Sequence, residues 1–175
     1  MKTKFIIYFT VLQIIILGTM SCSNDDEISG DKQSVSNSDA ILYEFSNQTF
    51  THKLDIELST LELEVTDSIN LLDRLTLVYY TTEKNPDTWH SVPDKSPAKD
   101  YRLQWSLGEN ETDPGNYNLE IKAQRADDNK PYDISLSYDK IRVISVDFSV
   151  AGNITPKDLD TRDYNAVINY FGLEQ

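Results

Sequence analysis

Few side chains in this 175-residue chain are suited to chemistry. There is one cysteine, Cys22, and there are two histidines, His52 and His90. A single cysteine excludes a disulfide framework and any zinc site made of thiolates. Neither histidine has a second histidine or a ligand-spaced carboxylate on its own segment, so both are expected to be solvated rather than catalytic. Acidic pairs such as Glu62/Glu64 and Asp127/Asp128 could in principle act as a glycosidase dyad. With 29 acids in the chain, pairs of this kind arise by chance. Asp147, Ser149, Gly152 and Asp158 fall at the first, third, sixth and twelfth places of a calcium loop, but Ala151 offers no oxygen at the fifth and Pro156 interrupts the rest. That segment reads as strand, turn and helix. No Gly-x-Ser-x-Gly, phosphate-binding loop or Gly-x-Gly-x-x-Gly is present. The expectation is a protein that is not an enzyme and that carries no metal and no cofactor.

The charge balance narrows the partners. Sixteen basic residues against 29 acidic ones leave a formal charge of −13. A nucleic-acid face needs clustered Lys and Arg, and none appears, so no nucleic acid is expected.

The N-terminus is more specific. Lys2 and Lys4 precede an apolar run from Phe5 to Leu17, followed by small residues. This is the layout of a secretory signal over residues 1–21, and the run is shorter than the ~20 residues that span a bilayer. The order Leu17-Gly18-Thr19-Met20-Ser21-Cys22 resembles the lipobox of bacterial lipoproteins, with Thr19 where the strict pattern has leucine. The resemblance implies that the signal is cut before Cys22, that its thiol is acylated and that the new N-terminus is acylated too. Two or more chains anchor stably where one holds only marginally. Ser23, Asn24, Asp25, Asp26 and Glu27 resemble the short acidic export signal of bacteroidete-type surface-exposed lipoproteins. Ser23 also departs from the aspartate of the inner-membrane retention signal. The expected place is the outer membrane, at the cell surface, with the membrane held through lipid on Cys22. Residues 22–39 are polar and acidic and read as a flexible tether, with a reach of roughly 20–25 Å. Asp67-Ser68-Ile69 resembles the O-glycosylation motif of exported proteins of the same group.

From residue 40 to 150 the pattern has period two. Leu54, Ile56 and Leu58 alternate with charged residues, and so do Leu61, Leu63 and Val65 after a slip at Ser59-Thr60. Further sets are Leu75/Leu77/Tyr79, Tyr101/Leu103/Trp105/Leu107, Tyr117/Leu119/Ile121/Ala123 and Tyr132/Ile134/Leu136/Tyr138. Ile141 and Val143 follow, with a second slip before Ile144, Val146 and Phe148. Turn signals at Asn85-Pro86, Val92-Pro93-Asp94, Asp113-Pro114-Gly115-Asn116 and 127–131 separate them. Short alternating strands without long helices predict an all-β fold, an antiparallel β-sandwich of seven to nine strands.

The stretch Asp113 to Gln124 resembles the corner and following strand of immunoglobulin-like and fibronectin-type domains. The resemblance implies an immunoglobulin-like sandwich in which the Tyr117 hydroxyl bonds back to the backbone of the 113–116 turn. On that basis Tyr117→Phe is expected to cost more stability than Tyr138→Phe.

Residues 151–175 change period. Tyr164, Val167, Ile168 and Phe171 share one helix face, Thr155-Pro156 supplies a start and Gly172 a C-cap. This segment is expected to pack on the open end of the sandwich. Trp89 and an outward Tyr80 are the candidate ligand-binding residues, because exposed aromatic rings stack on sugars. The plan is then a signal peptide (1–21), a lipidated tether (22–39), the sandwich (40–150) and a C-terminal helix (151–175). The expected function is a non-catalytic surface lipoprotein that binds a protein, as a binding or adhesion-type interaction module, or alternatively a glycan, as an accessory of polysaccharide uptake.

Overall fold

The computed structural model describes residues 32–36, 40–52, 60–65, 69–94, 99–155, 157 and 159–173. The signal, Cys22, the acidic run 23–27, the Leu54–Leu58 alternation and Asp67-Ser68 lie outside the described residues. Eight strands are present among the described residues: β1 (Lys32–Ser36), β2 (Ala40–Thr51), β3 (Thr60–Leu63), β4 (Arg74–Thr82), β5 (Asn85–Val92), β6 (Tyr101–Glu109), β7 (Tyr117–Arg125) and β8 (Ser135–Asp147). A short helix, α1 (Phe148–Ala151), follows β8, and α2 (Tyr164–Phe171) lies near the C-terminus.

All strand pairs are antiparallel. A five-stranded sheet runs β1-β2-β8-β4-β5 and a three-stranded sheet runs β3-β7-β6. The two pack face to face around Ile41, Tyr43, Phe45, Val78, Leu119, Ile121, Ile141 and Val143. This is the expected antiparallel β-sandwich with a short C-terminal helix. Among the alternating sets, β6 and β7 fall where period two places them: Leu103, Leu119, Ile121 and Ala123 are buried, and Gln104 and Lys122 are exposed.

The helix does not sit on the open end. It covers the outer face of the five-stranded sheet, where Ala40, Leu42, Tyr79, Ile144 and Val146 meet Tyr164, Val167, Ile168, Phe171 and Leu173. This explains the apparent slip before Ile144. The β8 ladder is unbroken there, from Ile141 opposite Tyr80 to Val146 opposite Leu75. Ile141 and Val143 face the second sheet, while Ile144 and Val146 face the helix, so consecutive residues are apolar because both faces are covered. The change of face comes earlier. In β2 the inward residues pass from Phe45 to Phe50, and in β8 from Ile141 back to Tyr138. Between them Asn47 takes a left-handed φ of 55°, a conformation that reverses the alternation.

Two further expectations are corrected, and one strand appears where the sequence showed no period. Residues 32–36 form β1 at the edge of β2, so the tether does not run unstructured to residue 39. The segment Asn85–Val92, flanked by two turn signals, is itself an edge strand, and Pro86 is tolerated because one side of an edge strand has no ladder to serve. The last helix starts at Tyr164 rather than near Pro156: the Asp163 carboxylate accepts from the Ala166 N–H at 3.1 Å and caps it. Gly172 closes the helix as expected, in the left-handed conformation at φ 63°.

The Tyr117 corner is also not formed. β6 and β7 are a hairpin within one sheet, and the Tyr117 hydroxyl donates to the Asn70 side chain at 3.2 Å rather than to the 113–116 backbone. Tyr138 is the more deeply held of the two tyrosines, 2% exposed and bonded to His52 at 3.1 Å. The layered antiparallel sandwich is present, and the corner that the resemblance to immunoglobulin-like domains implies is not.

Candidate functional site

The two aromatic candidates, Tyr80 and Trp89, lie on opposite faces of the same sheet. Tyr80 pairs across the ladder with His90, and Trp89 is the residue before it. Side chains alternate along a strand, so Tyr80 looks into the sandwich and Trp89 looks toward the helix layer. They do not form one platform. The expectation of an outward Tyr80 is corrected: it is 1% exposed, because both faces of β4 are covered.

Around Tyr80 the structure builds a polar and aromatic cluster. Its hydroxyl donates to the Asp94 carboxylate at 2.6 Å. The Lys99 ammonium donates to the same carboxylate at 2.6 Å and also contacts the Tyr80 hydroxyl. The Tyr80 ring is stacked on His90 at 5.2 Å and edge-on to Tyr138 at 5.4 Å. Burial, reinforced by the Asp94 carboxylate, pushes the Tyr80 phenol far above its ordinary range. A carboxylate held between an ammonium and a phenol satisfies buried charge. The lysine is committed to an ion pair, so this geometry ties β4 to the chain on either side of the β5–β6 connection rather than presenting a nucleophile.

His52 is the second correction. It is 3% exposed, not solvated. Its Nδ1 accepts from the Ala123 N–H at 3.2 Å. The neutral ring must then carry its proton on Nε2, which faces the Tyr138 oxygen. Burial lowers its pKa from 6.5 to about 4, against a smaller opposing effect of the Ile121 backbone. His90, only partly buried, is also lowered, first by desolvation and then by the Lys99 charge. His52 packs edge-on against Phe50 and Tyr138, and His90 is stacked on Tyr80.

On the helix side, Trp89 is already occupied. The ring of Tyr164, the first residue of α2, stacks on it with centroids 4.1 Å apart and planes 25° apart. The Arg142 guanidinium lies 5.0 Å from the Trp89 ring centre and 5.4 Å from that of Tyr164, and it pairs with Glu44 on the neighbouring strand. Tyr79 meets Tyr164 edge-on at 5.3 Å, and its hydroxyl donates to the Thr161 carbonyl. Among the described residues the buried Tyr164 hydroxyl has no hydrogen-bond partner. No sequence signal announced this pairing, since 75 positions separate Trp89 from Tyr164 and neither lies in a motif.

Asp147, the first place of the calcium-like spacing, serves local structure. Its carboxylate accepts from the Ser149 N–H at 2.8 Å, capping α1, and it pairs with Arg74 at 3.3 Å. Among the described residues no group of three potential metal ligands comes together. A cleft of about 420 Å³ lies beside α1, with Leu75, Ile154 and Leu159 among its lining and Arg162 paired to Asp160 at its exposed part.

Comparison with protein-family models, with curated proteins and with solved structures finds no match for this chain.

Proposed function

We propose that the chain is a non-catalytic, lipid-anchored cell-surface protein whose β-sandwich acts as a protein-interaction module. Three sequence features support the anchor: the apolar run ending at Leu17, the lipobox-like step into Cys22 and the acidic run Ser23–Glu27. The observation that carries the protein-binding reading over the glycan-binding one is the seating of Tyr164 on Trp89. A sugar would need that ring face, and the second aromatic, Tyr80, is enclosed between the sheets. Among the described residues the domain leaves outward backbone edges, loops and the separate side chains of Leu72, Ile134, Phe148 and Tyr170, and edges and loops are the surfaces through which sandwiches engage other proteins.

The anchoring part is tested by fractionation. Cys22→Ala is expected to leave the membrane fraction or to remain unprocessed. A processed variant that still sediments with membranes contradicts the reading. Replacing Asp25, Asp26 and Glu27 by alanine is expected to remove the protein from protease attack on intact cells, and unchanged sensitivity would contradict surface export.

A further inference from the structure

Among the described residues β3 covers the edge of β7 only from Tyr117 to Glu120. Beyond that point other groups close the edge. The chain after β7 turns back alongside it: the Arg125 N–H donates to the Lys130 carbonyl at 2.8 Å and the Tyr132 N–H to the Ala123 carbonyl at 3.0 Å. The Ala123 N–H has a side chain for a partner, the Nδ1 of His52, at 3.2 Å. His52 follows directly on β2, which belongs to the other sheet. One imidazole thus stands in for a strand on the β7 edge and ties the two sheets together there.

That bond exists only while the ring is neutral. A neutral imidazole accepts through one nitrogen and donates through the other, whereas an imidazolium donates through both. A proton on Nδ1 sets two donors against each other, and a buried backbone N–H is rarely left without an acceptor. The side chains packed on the ring carry no carboxylate to balance the added charge: Phe50 on its own strand, Tyr138 on β8, and Ala123 on β7. Tyr138 is the titratable one, and it meets Tyr80, whose hydroxyl faces the paired Asp94 and Lys99. Asp133, whose backbone N–H reaches the His52 carbonyl at 3.4 Å, is exposed. The Ile121 backbone favours the charged ring, but by less than burial opposes it.

We propose that His52 is a proton-operated latch on the β7 edge: neutral, it closes that end of the sandwich by accepting from Ala123, and protonated, it turns out and lets the end open. The part that opens is the last third of β7 with the returning segment 130–133, which the same few bonds hold. The β2, β8 and β4 ladders stay closed, because none of their bonds uses the imidazole. Acid therefore loosens one end of the domain before the whole of it unfolds, the behaviour of a histidine switch acting on a local element. This inference does not depend on the anchoring or on the protein-binding reading above.

The test follows amide hydrogen exchange in the full chain by NMR, as protection factors, which divide out the intrinsic effect of pH on exchange. Protection at Ala123 is expected to fall roughly 100-fold between about pH 7 and about pH 4.5, as a ring that titrates at 6.5 when open and at about 4 when closed requires. Protection at Val143, in the middle of β8, is expected to stay higher than at Ala123 throughout. Local opening exposes little surface, so low urea should leave the Ala123 rate unchanged while it speeds exchange at Val143. In His52→Gln the side-chain oxygen can accept from the same N–H and does not titrate, so the pH dependence at Ala123 should vanish. Protection of Ala123 equal to that of Val143 at every pH, an equal urea dependence of the two amides, or an unchanged pH dependence in His52→Gln would each overturn the proposal. The first two readouts use the natural chain, so they decide the matter even if His52→Gln does not fold.

Discussion

The inner and outer faces of the five-stranded sheet are both buried, but different kinds of cover close them. On the inner face, Ile41, Phe45, Val78, Ile141 and Val143 meet Leu119 and Ile121 of a sheet that is fixed by its own ladder. On the outer face, Leu42, Ile144 and Val146 meet α2, a helix of eight residues. A helix that short is not stable on its own, so its side chains must hold it in place. The aromatic and ionic group of Trp89, Tyr164, Tyr79, Arg142 and Glu44 lies on that face. The contrast teaches that stacked rings beside a cation on a β-sandwich can serve to seat an appended helix. An aromatic residue on a strand is therefore a poor pointer to a ligand until its neighbour across the chain is known.

The largest effect should distinguish the two covers through one substitution made on each side. Ile141→Ala, on the inner face, leaves a cavity between two sheets that cannot close, and a loss of about 4 kcal/mol is expected. Ile168→Ala, on α2, lets the short helix settle into the gap, and about 2 kcal/mol is expected. Urea unfolding with equal slopes measures both, and equal losses would break the comparison.

The second effect belongs to the inner face alone. His52 titrates at 6.5 when unfolded and at about 4 when folded, because burial disfavours its charged form. The unfolded chain therefore binds the proton first. Stability from the neutral ring is full above pH 6.5 and falls as the pH drops toward 4, by on the order of 3 kcal/mol. His52→Gln should flatten most of this slope, and His90→Gln only a smaller part. Unfolding midpoints taken across the window decide it.

Much of the inner face was legible in the sequence, because a strand with one wet face shows its period. β6 and β7 fell where Leu103 and Trp105, or Leu119 and Ile121, alternate with polar residues. The outer face was legible only in pieces. The helix showed itself through Tyr164, Val167, Ile168 and Phe171, and Gly172 marked its end. Its docking place did not, because cover on both sides of β8 makes Ile144 and Val146 look like a change of phase. β5 was hidden for the opposite reason: an exposed edge strand with Pro86 has almost no apolar period to read. Tyr80 reads as outward in the sequence because β4 is apolar at consecutive positions, and the second layer that buries it is not visible from one strand.

A third, smaller effect compares two buried phenols. Tyr80→Phe deprives both Asp94 and Lys99 of a partner and should cost about 1–3 kcal/mol. Tyr164→Phe removes a hydroxyl that has no partner among the described residues and keeps the stacked ring, so it should be neutral or slightly stabilising. Chemical unfolding of the two variants side by side tests this, and a larger loss for Tyr164→Phe would reverse the assignment.

The most direct test of the central claim, that Trp89 seats the C-terminal helix and is not an open platform, is a double-mutant cycle of Trp89→Ala and Tyr164→Ala by urea unfolding. Stacked rings couple by about 0.5–1.5 kcal/mol beyond the area they bury. The account predicts coupling in that range, with the double variant losing less than the two single losses added. Strict additivity would mean that the rings do not meet, and Trp89 would then stand free for a ligand.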